Sequence, residues 1–294
     1  MVAPTRAGGN GVEFGAAMFF TDYAISAMDL AVALEQRGFE SLWAPEHSHI
    51  PLSRRSPFPA GGDLPRKYAE AMDPFVSLTA AAVVTQRLRL GTGVCLVTQR
   101  DPIQTAKLVA SVDQVSGGRF LFGIGAGWNA EEMADHGATD FKSRFKLMRE
   151  RIEAMQAIWT RTEAEYHGEL VDFPPMHAWP KPRHQPHPPV IVGGAFPYGA
   201  RRAIAYGNGW IPHRARPQYG DVSEFMPQFR AMAQTAGRDP ADIPVTLWGP
   251  KLELDTLRRY RDLGIARVVV SLESAQADAL LPLLDQWAEV MRSV

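Results

Sequence analysis

Four consecutive residues, Glu46-His47-Ser48-His49, hold the clearest potential for chemistry in this chain. Imidazole titrates near neutral pH, so a histidine at the end of a strand can pass or accept a proton. Side chains alternate along extended backbone, which puts His47 and His49 on one side and Glu46 on the other. The His-x-His spacing would also suit a metal ion on a strand, but such a site needs ligands from later strands. The matching later positions are Gly193-Gly194, Pro212-His213 and Ser271, so no metal site is expected. The plain alternative for Glu46 and His47 is hydrogen bonding to neighbouring loops.

Glycines supply a second signal. Gly123, Gly125 and Gly127 alternate along an apolar run. The spacing is GxGxG, not the GxGxxG of a dinucleotide turn, and no fitting acidic residue follows about 20 positions on. Glycines at period two clear one face of a strand for a close neighbour. Gly123 fits packing inside a barrel, whereas Gly127 with Trp128-Asn129 is placed for ligand contact. Gly193-Gly194 precede a helix expected near Tyr198, and such a turn attracts phosphate. Nearby Arg201, Arg202, Arg214 and Arg216 could pair an anion, or simply be solvated.

Short apolar runs that alternate with longer amphipathic ones must position these residues, and that rhythm predicts βα units. Strands are expected at 12–18, 41–44, 88–97, 119–127, 190–192, 209–211, 243–248 and 267–271. Helices follow each of them, the first over 23–37 with Asp22 as its cap and two others opening at Asp73-Pro74 and Asp101-Pro102. Eight strands and eight main helices predict a (β/α)8 TIM barrel, with residues 12–294 as one domain. A doubly wound open sheet is the alternative, because patterning does not reveal closure. The proline-dense stretch 160–188 breaks the rhythm and reads as an insertion after the fourth strand, passing over the barrel mouth.

Function in such barrels collects at the carboxyl ends of the strands. Those positions here include Met18-Phe19, Val94-Cys95, Gly127-Trp128-Asn129, Gly193-Gly194-Ala195 and Trp248. The set is apolar, aromatic or glycine. It suits a large flat ring cofactor that brings its own reactivity better than it suits hydrolysis.

Composition excludes several classes. Hydrophobic residues make up 46% of the 294, enough for a large core, and the formal charge of -1 gives no broad attraction to nucleic acid or an anionic membrane. The single cysteine, Cys95, allows no intrachain disulfide and fits a reducing compartment. No apolar run approaches the roughly 18 residues of a membrane span. Residues 1–11 read as a disordered leader without a signal peptide, so a soluble, cytoplasmic protein is expected.

Taken together, several segments resemble the luciferase-like monooxygenase family, especially its deazaflavin (coenzyme F-420)-dependent actinobacterial branch. They are Ser41-Leu42-Trp43-Ala44-Pro45-Glu46-His47, Leu90-Gly91-Thr92-Gly93-Val94, Asp113-Gln114-Val115-Ser116-Gly117-Gly118-Arg119, Gly123-Ile124-Gly125-Ala126-Gly127-Trp128-Asn129, Pro189-Val190-Ile191-Val192-Gly193-Gly194 and Gly209-Trp210-Ile211-Pro212. The resemblance implies an oxidoreductase on a small-molecule substrate, using coenzyme F-420 or alternatively FMN with a separate reductase. A non-catalytic cofactor-binding protein is a further alternative. It implies Glu46 and His47 beside the reactive centre and a non-prolyl cis peptide near Gly93-Val94. It also implies cofactor contacts from Gly93, Val94, Cys95, Gly127, Trp128, Asn129 and Trp210, a phosphate on Gly193-Gly194-Ala195, and a homodimer. Two positions depart from the family pattern. Cys95 replaces an aliphatic residue, and Trp128 replaces the acidic residue of sugar-phosphate-oxidising relatives, which argues against that substrate class.

Overall fold

The structure is a computed structural model that describes residues 11–212 and 220–294. The expected leader, apart from Gly11, lies outside the described residues, as do His213, Arg214 and Arg216.

Parallel strands come first in the architecture. They are β1 (Glu13–Ala17), β2 (Ser41–Ala44), β3 (Arg89–Thr92) with its continuation β4 (Cys95–Leu96), and β5 (Phe120–Gly125). An antiparallel hairpin, β6 (Ala164–His167) and β7 (Asp172–Met176), stands apart from them. Then come β8 (Val190–Gly193), β9 (Gly209–Ile211), β10 (Thr246–Trp248) and β11 (Arg267–Ser271). The parallel order is β10-β11-β1-β2-β3-β5-β8-β9. Among the described residues closure comes from one parallel bridge, Trp210 to Val245, where the Trp210 amide donates to the Pro244 carbonyl at 3.0 Å. The open-sheet alternative is thereby set aside.

The helices are α1 (Ala27–Gln36), α2 (Pro74–Val84), α3 (Pro102–Val115), α4 (Ala130–Asp135), α5 (Arg144–Thr160), α6 (Tyr198–Tyr206), α7 (Val222–Thr235), α8 (Leu254–Asp262) and α9 (Ala277–Met291). The caps Asp73 and Asp101 hold the first amides of α2 and α3, each with proline at the first turn. The first helix starts later than the sequence suggests. Ser26, not Asp22, is its cap: Ser26 Oγ accepts from the Asp29 amide at 3.0 Å and donates to the Asp29 carboxylate at 2.7 Å. No helix among the described residues is long and apolar enough to cross a membrane.

Inside the ring, Ala17, Trp43, Leu121, Ile191, Ile211 and Val269 pack together beneath Val94 and Trp248. The Trp43 indole fills the centre, and its Nε1 donates down to Ser41 Oγ at 2.9 Å. Two glycines make room. A Cβ on Gly91 would come within 2.4 Å of the Trp43 ring, and one on Gly123 within 2.0 Å of the Thr92 carbonyl. The expected packing role of Gly123 holds.

The expectation that residues 160–188 cover the mouth does not hold. The hairpin runs down the outer side of α5, where the buried Glu150 carboxylate accepts the amides of Leu170 and Val171 at 2.7 and 3.0 Å. Tyr166 donates to Glu153 at 2.6 Å. The chain then crosses the end of α3, with Gln114 donating to the Lys181 carbonyl at 2.8 Å and the His184 amide donating to Asp113 at 2.7 Å. A buried carboxylate needs donors, and the hairpin tip supplies them on the flank.

Candidate active site

The rim is organised by a bulge in the third barrel strand. Gly91 pairs with Leu121 but Cys95 with Ile124, so the β3–β4 side holds one residue more than β5 over this stretch. The Gly93–Val94 peptide within it is cis. The bulge turns Val94 inward over Trp43 and Cys95 outward among the helices. Cys95 is fully buried, and burial, then the nearby Glu46, pushes its thiol well above the usual range. A side-chain contact from Cys95 to a bound ring is therefore ruled out; it is packing.

Glu46 braces this bulge. Its carboxylate accepts the Leu96 amide at 2.6 Å and Arg100 Nε at 2.5 Å, and Arg100 reaches on to Asp73 at 2.6 Å. Burial opposes the Arg100 charge, but Glu46 outweighs it and holds the guanidinium firmly protonated. With its oxygens committed in this way, Glu46 braces the backbone of the bulge on the side away from His47.

His47 is buried at the rim and faces α4. Its Nδ1 lies 2.9 and 3.1 Å from the two oxygens of Glu132, a carboxylate with no solvent exposure. Glu132 also receives the Ser48 amide at 3.3 Å. A carboxylate at Nδ1 orients the ring and fixes that nitrogen as the donor, which makes Nε2 the acceptor of a neutral ring. The Trp128 ring stands edge-on at 5.7 Å and Tyr68 lies at 5.4 Å. His49 is exposed and turns to Asp135 at 3.0 Å. As alternation requires, His47 and His49 share the α4 side and Glu46 takes the other.

Glu132 and Tyr68 are the residues that sequence reasoning missed. The Asn129-x-x-Glu132 pattern signals a helix start, and Asn129 does accept the Glu132 amide at 3.1 Å. Nothing in that pattern tells that the Glu132 side chain reaches back 85 positions to His47. The cap commits the Asn129 oxygen to positioning α4 and leaves its amide nitrogen as a donor.

Three further expectations need correction. Trp210 is fully buried on the helix side, packed on Phe225 and Phe229, and its Nε1 donates to the Gly194 carbonyl at 2.8 Å. It supports the β8–α6 turn and does not face the mouth. Met18 is likewise buried among the helices. The Gly194 amide donates to the Ile211 carbonyl at 3.0 Å, so both its backbone groups are in use. Gly194, at φ 154°, serves close approach: a Cβ there would meet Gly199 Cα at 3.1 Å. Ala195 accepts the Gly199 amide at 2.6 Å in the same turn.

An anion still fits at this corner. Arg202 and Arg144 lie over the Phe145 ring, at 3.5 and 4.4 Å, and neither meets a carboxylate among the described residues. Burial, and for Arg202 also Arg144, shifts both toward deprotonation. Arg144 Nε and the Tyr206 hydroxyl are buried without partners. Two adjacent guanidiniums and unused donors suit a phosphate. On the floor of the mouth, Trp248 Nε1 is also buried and unpartnered, so an acceptor on a planar ring would satisfy it. The residues present fit a phosphorylated tricyclic cofactor.

Comparison with known proteins adds a family. The model described as luciferase-like monooxygenase matches residues 3–251. The chain is 40% identical over 275 residues to Uncharacterized protein Rv0953c of Mycobacterium tuberculosis, covering 91% of this chain and 94% of that one. It is 28% identical over 223 residues to an F420-dependent glucose-6-phosphate dehydrogenase of Amycolatopsis mediterranei, covering 75% of this chain and 62% of that one. Among solved structures, monooxygenase RslO1 from Streptomyces bottropensis superimposes with a TM-score of 0.77 at 19% identity, over 96% of this chain and 99% of that one.

Proposed function

The chain belongs to the luciferase-like monooxygenase family, and from that premise we propose that it is a coenzyme F-420-dependent oxidoreductase acting on a small organic substrate. The observation that carries this reading is His47, pinned by buried Glu132 at the rim of a closed barrel whose floor leaves an unused donor on Trp248. The F420-dependent relative supports the choice of cofactor.

When bound, a deazaflavin supplies a two-electron hydride exchange, because carbon replaces the oxygen-reactive nitrogen of a flavin. The chain's own residues do the rest. Val94 and Trp248 form the floor on which a planar ring rests. Gly93 and Gly127 let backbone approach it, and the Gly193-Gly194-Ala195 turn sets α6 close to the strand end. Arg144 and Arg202 hold the phosphate by paired charge. Trp128 closes one side and excludes water from the reacting atoms. His47 Nε2 gives or takes the proton that accompanies the hydride, while Glu132 holds the ring in orientation.

A flavin-dependent relative, the oxygenase component of trigonelline monooxygenase of Acinetobacter baylyi, supports a second reading, an FMN-dependent monooxygenase served by a separate reductase. Titrating the purified protein with F-420 and FMN, each oxidised and reduced, decides between them. Tight binding of the deazaflavin and weak binding of FMN is expected; the reverse outcome transfers the protein to monooxygenase chemistry. The same reading takes the chain as a cytoplasmic homodimer. Exposed Val76 and Val83 on α2, with Ile103 and Val115 on α3, support a buried partner face, and sedimentation analysis tests it.

A further inference from the structure

We infer that the substrate is an uncharged molecule built on an aromatic or alicyclic ring, an inference that rests on the hydride-transfer reading and gives it a substrate class. The wall beside His47 is a connected group of rings from separate segments. Trp128 stands edge-on to His47, and Phe58 stands edge-on to Trp128 at 6.0 Å and to Tyr68 at 5.3 Å. Tyr68 in turn lies 4.5 Å from Phe19. All four rings other than His47 remain half-buried, so an apolar, ring-lined face is left to be covered. Aromatic rings gain from edge-on and offset packing beyond the area they bury.

Phe58 is fixed for this purpose, although it sits on a long loop. Glu131, a mostly buried carboxylate, accepts the Ser56 amide at 3.1 Å and also binds the Ser56 hydroxyl. The loop tip is thereby tied to α4, the helix that also carries Glu132.

Charge leads to the same conclusion. Three cations that flank the wall are engaged: Arg55 by Glu131 at 3.2 Å, Arg66 by Glu70 at 2.8 Å and Lys67 by Glu273 at 2.6 Å. Glu131 and Glu132 stand side by side at the start of α4, next to Trp128. A phosphate or carboxylate on the substrate would lie beside these two carboxylates, and the one cation of this stretch without a carboxylate among the described residues, Arg54, stands exposed on the loop. Arg144 and Arg202 are taken by the cofactor phosphate in this reading.

The test uses cofactor-loaded protein and calorimetric binding of three probes: acetophenone, 4-acetylbenzoate and glucose 6-phosphate. The first two share one ring and differ by a carboxylate. Acetophenone is expected to bind, 4-acetylbenzoate to bind about tenfold more weakly or worse, and glucose 6-phosphate not to bind. Phe58→Ala should raise the acetophenone Kd about fivefold and leave the cofactor Kd unchanged. Equal or tighter binding of either anion, no acetophenone binding to loaded protein, or an unchanged Kd in F58A overturns the inference. Failure to load either cofactor is seen before any probe is added and counts against the hydride-transfer reading instead.

Discussion

The two ends of the barrel treat buried charge in opposite ways. At the amino end Arg267 is almost fully buried and every direction of its guanidinium is answered. Nε and Nη2 donate to Glu40 at 2.6 Å each, Nη2 to Glu13 at 3.1 Å and Nη1 to Thr246 at 3.2 Å. Burial alone would raise the Glu40 carboxyl, but Arg267 outweighs it and holds Glu40 below its ordinary value. Arg119 at the same end spends its donors on the carbonyls of Ser116, Leu88 and Ala82. At the carboxyl end, by contrast, Arg144 Nε and Trp248 Nε1 are unpartnered and two arginines share a ring without a carboxylate among the described residues. A satisfied network stabilises and is chemically finished; a partly satisfied one awaits a ligand.

Substitutions can break this contrast. The largest effect is expected from His47→Ala, which should lower cofactor-dependent turnover by about 10²–10⁴-fold with cofactor affinity changed little. Unchanged steady-state rates would remove His47 from the chemistry. Next, Arg267→Ala takes the buried guanidinium away from Glu40, which keeps only Arg89 at 3.3 Å, and from the half-exposed Glu13; it should cost about 3 kcal/mol in urea unfolding, yet spare turnover in the protein that remains folded. At the other end Arg202→Met should cost about 1 kcal/mol or less, since only its contact with Phe145 is lost, while phosphate-bearing cofactor binds much more weakly. If both arginines prove equally important for stability, the distinction between the ends collapses.

Smaller changes sharpen it. Glu132→Gln preserves shape and should lower kcat by roughly 10–100-fold with cofactor Kd unaffected; loss of cofactor affinity alone would mark a merely structural group. The smallest effect concerns Glu35, whose carboxylate takes the amides of Gln86, Arg87 and Leu88 at 3.0, 2.6 and 2.8 Å. Burial raises its pKa, but those three donors together bring it below the ordinary value. A carboxyl lowered by folding stabilises above its unfolded pKa and loses that contribution as pH falls through the folded value. Glu35→Gln should therefore cost roughly 1 kcal/mol at pH 7, and the difference from the parent should fade below about pH 4.

Much of the fold was legible because the punctuation is local. The segments 41–44, 209–211 and 267–271 match the observed strands, each a short apolar run between turn residues. The sides of those strands were harder to read. A strand covered on both faces shows no alternation of polarity, so nothing in the pattern told that Trp210 and Cys95 turn toward the helices while Trp43 and Val94 fill the ring. Distance along the chain hid the rest. His47 was visible from its position at a strand end, but Glu132 looked like one more acidic residue in a first helical turn, and the hairpin along α5 follows from the single buried carboxylate Glu150.

Among the described residues the ring of strands is fastened by one bridge at this seam, where the Trp210 amide meets Pro244, a residue with no hydrogen of its own to return. Its two flanking strands hold each other less firmly than any other neighbours in the circle. Solvent deuterium should therefore enter the backbone there sooner than between β1 and β2, and any breathing that admits a bulky visitor would start at that seam.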